Sequence, residues 1–354
     1  MSNSSFYSLP DQVAGSIRAE ITKGRWSTTV PGRDKLAKEF GVSGKTVEAA
    51  LRALQKQGLL ESQGSGRRRR IVEKMNTATP SLRIAILTFD PLLLTDGYMI
   101  KLQHQLSAAG YSAFFTKKSL TELDFDVKKV SRFVAQTKAD AWIVGSAPRN
   151  VLEWLAEQPI PTFALFGRRH GLPIAGVGPD KNASISEATR RLLDLGHQRI
   201  ALIARKSRRL PTPGAGERVF LKELADHGIL TSNYHLPDWV ETVSGFREGL
   251  EALFRITPPT ALIVDEAQFF LAALQFCANR GLKVPGDISL ISTDNDGHFE
   301  WFTPSVAHIH WHRQPVISRI ERWAANISRG KKDLRQTLTK AEFIEGGTIG
   351  PVPA

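Results

Sequence analysis

Through the first sixty residues, apolar side chains recur every three or four positions; beyond residue 81 they gather into short continuous runs. Val13, Ile17 and Ile21, with Ala14 beside them, form one stripe that predicts an amphipathic helix starting after Pro10 and ended by Gly24. A second short helix carries Leu36, Ala37 and Phe40 and stops at Gly41. The third is capped by Ser43, buries Val47, Ala50, Leu51 and Leu54, and closes at Gly58. Two helices joined by the tight Gly41-Val42-Ser43 corner predict a helix-turn-helix. Leu59-Leu60 and Ile71-Val72 then flank Gly64-Ser65-Gly66 and four arginines, which predicts a β-hairpin with an exposed basic tip.

From Leu82 onward the pattern changes. Buried-strand runs are expected at 82–89, 111–116, 141–146, 162–167, 199–204, 261–265 and 288–293. Between them lie helical patterns near 97–109, 126–138, 181–195, 216–228, 244–255 and 267–280. Such alternation predicts an α/β fold with parallel sheets in two doubly wound lobes, ligands binding at the carboxyl ends of the strands. Residues 74–81 are polar, contain Pro80 and lack periodicity, so they read as a linker. The expected domains are therefore 1–73, which reads as a winged helix-turn-helix, and a two-lobed unit over 82–354.

Composition narrows the classes. The chain of 354 residues is too long for one typical domain, and its hydrophobic fraction of 42% suffices for sizeable cores. No apolar run approaches the length of a membrane span, and the first residues lack a basic start and apolar stretch, so neither membrane insertion nor secretion is expected. A single cysteine, Cys277, fits a reducing compartment and a cytoplasmic location. Net charge is +12, and residues 1–74 hold fourteen Lys or Arg against seven Asp or Glu. Positive charge so concentrated on a small domain is the footprint of a nucleic-acid partner. At the start of the third helix, Ser43, Lys45 and Thr46 are the candidates for the major groove.

The stretch from Tyr7 to Ile71 resembles the winged helix-turn-helix of the gluconate-repressor (GntR) family. Pro31-Gly32, Leu36-Ala37, Gly41-Val42-Ser43, Thr46-Val47, Ala50-Leu51, Leu54, Gly58-Leu59 and Gly64-Ser65-Gly66 carry the likeness. The family usually places DNA-touching arginines where this chain has Asp34, Gly44 and Glu48. The replacements on offer are Arg33, Lys35, Lys45 and the wing. Gly64, Arg67 and Arg68 would meet backbone or minor groove, with Arg69 and Arg70 alternating faces on the returning strand.

The second half resembles the effector-binding core of the lactose/galactose-repressor (LacI) family, which is built like periplasmic sugar-binding proteins. The residues concerned are Asp180, Leu195-Gly196-His197 with Arg199-Ile200, Gly281 to Pro285, and Asp287-Ile288-Ser289 leading to Asp294. The resemblance implies two lobes hinged by three crossovers around a small molecule, a sugar by class. It places Arg218 and Asp294 at effector-contacting positions. The family's Asn-Asp pair falls on Glu266 and Ala267, with Asp265 preceding. Phe89 and Trp301 are candidates to stack on a sugar face. His197 follows a helix-ending glycine and is expected to fix that turn.

His308, His310 and His312 would share one face of a strand, but no carboxylate or cysteine stands at ligand spacing, so no metal is expected. No nucleophile elbow, Walker loop or zinc spacing appears, so neither a cofactor nor catalysis is expected. The combined expectation is a ligand-responsive transcriptional regulator, a repressor, of arabinose-repressor-type architecture. It would bind a two-fold double-stranded operator as a homodimer and be controlled by a small metabolite. The alternatives are a binding protein with a degenerate DNA head and a sugar-acting enzyme.

Overall fold

The structure is a computed structural model that describes residues 9–353 apart from 23–24, 27, 57, 65–66 and 73–81. Gly24, the Ser65-Gly66 tip and the 74–81 linker thus lie outside the described residues. Two compact units divide the chain, Met1–Pro80 and Ser81–Ala354.

In the first unit, α1 (Leu9–Thr22), α2 (Arg33–Phe40) and α3 (Gly44–Lys56) precede β1 (Leu60–Glu61) and β2 (Arg70–Ile71). The helical stripes converge on one core: Val13 and Ile17 of α1, Leu36 of α2, and Val47, Ala50, Leu51 and Leu54 of α3 are all buried. Ile21 is only partly buried at the edge of this cluster. Gly41 takes φ +64 and lets Val42 donate back to the Ala37 carbonyl, which turns the chain sharply into α3. The Ser43 hydroxyl accepts from the Thr46 amide at 3.1 Å, capping α3. The hairpin gains a third strand-like segment that the sequence pattern did not suggest. Thr29 bridges Arg70, and Val30 donates to the Arg69 carbonyl.

The second unit runs β3 (Arg83–Leu87), α4 (Gly97–Ala108), β4 (Ser112–Phe115), α5 (Val127–Gln136), β5 (Ala141–Gly145), α6 (Arg149–Ala156), β6 (Thr162–Leu165) and β7 (Ala175–Asp180). There follow α7 (Asn182–Asp194), β8 (Ile200–Ile203), α8 (Lys206–Arg209), α9 (Ala215–Asp226), α10 (Val243–Ile256), β9 (Ala261–Val264), α11 (Ala267–Asn279) and β10 (Ser289–Ser292). The last elements are β11 (Ala307–Trp311), α12 (Arg313–Ile327) and β12 (Gln336–Ile344). Ile84 and Ile86 face one hydrophobic cluster while Ala85 and Leu87 face another, so β3 is buried on both sides. The same holds for β9, whose Leu262 and Ile263 serve two further clusters. Strands covered on both faces read as continuous apolar runs, which is why they stood out in the sequence.

The two lobes do not carry separate sheets. One ten-stranded sheet runs β4-β3-β5-β6-β7-β12-β11-β10-β9-β8. Only the β11–β12 pairing is antiparallel within it. The chain leaves the first lobe after β7, returns with α12, whose Ile317, Ile320 and Trp323 pack there, and ends with Ile349 in the second. The elements α6, β7, α8, α12 and β12 had no counterpart in the sequence reading. Strand β7 is AGVGPD, poor in side chains that mark a strand, and α12 has Pro315 in its first turn. Among the described residues no helix is long and apolar enough to cross a membrane.

His197 ties three segments together. After Gly196 at φ +88, its Nε2 donates to the Gly350 carbonyl at 2.9 Å and its Nδ1 lies 2.9 Å from the Thr260 hydroxyl. The ring is 1% exposed, and burial holds its pKa below the ordinary 6.5. His197→Ala is expected to lose about 2–3 kcal/mol in urea unfolding, because it strands buried polar partners. The unfolded chain takes up this proton first. Wild-type stability therefore falls as pH drops through about 6.5 towards the lower folded value, and this component is missing in the variant.

Candidate functional site

In the first unit the surface formed by the start of α3 and the hairpin carries the charge. Ser43 and Lys45 are exposed, while Thr46 is half-buried with its hydroxyl 2.8 Å from that of Ser43. Arg33 and Lys35 at the start of α2 are exposed. Arg33 passes over Gly44: a Cβ at that glycine would stand 3.4 Å from its Cδ and Nε. Its Nε also donates to Asp34 at 2.9 Å. Gly64 takes φ +103 in the hairpin turn, and Arg67, Arg68 and Arg70 are exposed.

Arg69 differs from its neighbours. Its guanidinium donates to Glu48 of α3 at 2.6 Å and is only 18% exposed. Glu48 also takes Arg52 at 3.2 Å, and the Arg69 hydrogen bond holds its carboxyl below the usual range. The alternation expected for Arg69 and Arg70 is thus realised with one side turned onto the protein. Three of the four arginines face outward, and the fourth joins hairpin to helix.

In the second unit, a cavity of about 530 Å³ lies at the carboxyl ends of the strands, with walls from both lobes. Gly145-Ser146 after β5 and Leu165-Phe166-Gly167 after β6 form part of it, facing Asp265-Glu266 after β9 and Asp294 to Asp296 after β10. Tyr98, Phe166 and Trp311 make an aromatic cluster on its wall, with ring centroids 5.5 to 6.4 Å apart. A second cavity, of about 670 Å³, opens between Thr121-Phe125 and Asp238-Glu241. Every non-glycine residue with positive φ among the described residues lines one of these two spaces. Ser146, Phe166 and Glu266 border the first, Asp124 and Phe125 the second. Each such conformation costs on the order of 1–3 kcal/mol, and strain of this kind collects at working sites.

The acids of the first cavity are all engaged. Asp96 caps α4 through the Tyr98 and Met99 amides. Asp265 accepts from the Thr293 hydroxyl at 2.6 Å, and Asp296 from the His298 amide at 2.8 Å. Asp294 accepts from Trp311 Nε1 at 2.5 Å and stands 3.9 Å from Lys181.

Glu266 holds Arg205, the residue two past the end of β8. Arg205 is 6% exposed and donates to Glu266 at 2.7 Å. It also reaches Asp90 of the first lobe at 3.2 Å and lies 3.5 Å from Glu241. Phe89 and Phe269 stack against it, 4.8 and 4.7 Å from its central carbon. One cation thus gathers two aromatic rings and three carboxylates from the two lobes, and links the walls of both cavities.

The structure brings Asp265, Glu266 and Asp294 to the cavity but not the other expected contacts. Arg218 is exposed on α9, and its guanidinium donates to the Pro213 carbonyl at 2.6 Å. Trp301 is 86% exposed, on the short helical turn Gly297–Trp301, away from the cavity lining. Phe89 is fully buried, and its ring is occupied by Arg205 and Phe125. Arg205, Arg169, Tyr98, Phe166 and Arg313 were missed. Arg205 and Phe166 sit just past strand ends, the one positional signal that was available. On β11 and at the residue just after it, the His308, His310 and His312 rings follow one another 6.1 and 4.9 Å apart. Among the described residues no three His, Cys, Asp or Glu side chains converge as a metal site.

Arg205→Ala is expected to lower stability by about 3–5 kcal/mol in urea unfolding, since it leaves three largely covered carboxylates together without their buried cation. A loss below about 1 kcal/mol would show that the cluster contributes nothing net.

Comparison with known proteins agrees with this architecture. Residues 9–69 match bacterial regulatory proteins of the gntR family, and residues 189–349 match the periplasmic binding protein-like domain. The HTH-type transcriptional regulator DegA of Bacillus subtilis is 27% identical over 226 residues, 61% of this chain and 66% of that protein. The HTH-type transcriptional repressor PurR of Erwinia tasmaniensis is 33% identical over 152 residues, 43% of this chain and 44% of its own. The match therefore spans between 44% and 66% of these relatives' length. Among solved structures, a LacI family transcriptional regulator from Mycobacterium smegmatis has a TM-score of 0.62 at 20% identity, covering 77% of this chain and all of its own. A CelR–cellobiose complex has a TM-score of 0.62 at 17% identity, covering 90% of this chain and all of its own. At these identities the likeness is one of fold. The chain joins a helix-turn-helix domain of the gntR family of bacterial regulatory proteins to a periplasmic-binding-protein-like core.

Proposed function

We propose that this chain is a ligand-responsive transcriptional repressor of the bacterial cytoplasm. Its winged head binds a two-fold operator as a homodimer, and its core takes a small metabolite, a sugar or sugar derivative, between the lobes. The observation that carries the reading is the pairing, in one chain, of an outward-facing basic wing beside a capped helix N-terminus with a strained, aromatic-walled cleft at strand ends. DNA contacts are assigned to Arg33, Lys35, Ser43, Lys45, Thr46, Gly64, Arg67 and Arg68. Effector contacts are assigned to Asp265, Glu266 and Asp294. By linkage, an effector that weakens operator binding must itself bind the operator complex less well, by the same factor.

A second reading has one observation in its favour. Asp34 draws on Arg33 and Glu48 on Arg52 and Arg69, so acids at family arginine positions neutralise part of the charge. A head weakened in this way would bind DNA by charge alone. Selection from random duplexes separates the two: a palindromic consensus supports the repressor, and enrichment without a consensus supports the second reading. With an operator in hand, Arg67→Ala combined with Arg68→Ala should lower the slope of log affinity against log salt by about 2. An unchanged slope would remove the wing tip from the interface.

A further inference from the structure

Two side chains that line the 530 Å³ cavity each carry a buried polar atom with no hydrogen-bond partner among the described residues: the Tyr98 hydroxyl and Nε of Arg169. Their side chains are 6% and 8% exposed. A buried donor left without an acceptor costs stability, so such groups are rare and need a reason. Arg169 has a second peculiarity. Among the described residues no carboxylate lies in salt-bridge range of this buried guanidinium, which donates only to the carbonyls of Phe166 at 3.3 Å and Thr337 at 3.4 Å. Burial alone pushes its pKa down, to about 10, which leaves it fully charged at neutral pH. Buried arginines elsewhere in this core, Arg205 and Arg319, each have carboxylates at hand.

The chain has been shaped to keep Arg169 in this place. Gly176 and Gly178 of β7 lie directly beneath its side chain, and a Cβ at Gly176 would come within 2.3 Å of its Cδ. At Gly178 a Cβ would stand 3.2 Å from Nη1. Removing both Cβ atoms weakens a strand, so the cost is accepted where a backbone must be approached closely. Phe166, whose carbonyl takes Arg169, is held at φ +61 and also forms the aromatic wall with Tyr98 and Trp311. Arg313 stands over the Tyr98 ring, 6.0 Å from its centroid, and among the described residues donates to the Asn295 carbonyl at 3.4 Å.

Resting on the reading of this cavity as the effector site, we infer that the effector is a small polyhydroxylated carboxylic acid whose carboxylate is bound by Arg169 and the Tyr98 hydroxyl. An anion there supplies the opposite charge that Arg169 lacks and an acceptor to two side chains that carry unpartnered polar atoms among the described residues. The apolar face of the ligand lies on the Tyr98, Phe166 and Trp311 rings. Its hydroxyls donate to Asp265 and Asp294, whose carboxylates have further lone pairs. Charge count decides between anions. Five carboxylates and three cations line the cavity, and repulsion from the acids grows with ligand charge. A monoanionic carboxylate is accepted; a dianionic phosphate ester is disfavoured.

Calorimetry on the full chain tests this with matched sets: glucose, glucuronate, gluconate and glucose 6-phosphate, and the galactose counterparts, each at up to 10 mM. The expected result is that an acid binds at least about tenfold tighter than its neutral parent and its phosphate ester, the scale of one charge-assisted hydrogen bond. Arg169→Met should erase that preference and leave weak binding of the neutral sugar. Tyr98→Phe guards against a folding artefact. It removes a hydroxyl with no hydrogen-bond partner among the described residues, so melting temperature should hold or rise while the acid weakens several-fold. Neutral sugars binding as well as their acids would overturn the inference and leave the sensor reading standing. A phosphate ester binding tightest would overturn the choice of carboxylate. No binding by any member would overturn the cavity as a sugar-type effector site, and the inference with it.

Discussion

Strand β12 holds the core together because its two halves belong to different lobes. Gln336 to Lys340 pair in parallel with Gly176 to Asp180 of β7, and Ala341 to Ile344 pair antiparallel with Trp311 to His308 of β11. Main-chain hydrogen bonds therefore cross from one lobe to the other without a break in the sheet. Its entry is pinned by Arg319, which is 4% exposed, grips Asp333 at 2.7 and 3.1 Å and reaches the Arg335 carbonyl. Gln336 then donates to the carbonyls of Arg169, Leu172 and Ile174. The loop that carries Arg169 into the cavity is thus hung from the same strand that joins the lobes.

Against this fixed seam, the opposite side of the cleft is closed by side chains. Arg205 draws Asp90 to Glu266 and Glu241 between two phenylalanine faces. Backbone pairing at one side and a desolvated ion cluster at the other differ in kind. The first is lost only with the fold, whereas the second can be exchanged for contacts of similar strength. A cleft built in this way has one side suited to act as a pivot and one suited to open.

What the sequence revealed followed from local rules. The stripe through Val47, Ala50, Leu51 and Leu54, the Ser43 cap and the runs IAIL and ALIV each report an element without reference to distant residues. Asp265, Glu266 and Asp294 were legible through the resemblance to the lactose/galactose-repressor core, which places its effector contacts at these positions, and strand ends of this kind are where ligands bind. Direction of side chains was not. Arg218 stands at the expected position on α9 yet turns to Pro213, because position along a helix does not fix where a long side chain ends. Strand β7 was hidden by its own glycines, whose reason is Arg169, a residue on another segment. Arg69 looked like its three neighbours until Glu48, twenty-one residues earlier, gave it a partner.

That pair has a mechanical consequence. Glu48 lies on the second turn of α3 and Arg69 on the returning arm of the hairpin, where the backbone of 69–71 is also hydrogen-bonded to 28–30. Helix and wing are thereby braced as one rigid body, with their spacing set by the protein. On the DNA-binding reading proposed above, a duplex docked across helix and hairpin would be measured as by a caliper. Sequences whose groove width already matches the gap need no deformation, and stiffer or differently shaped ones must bear its cost.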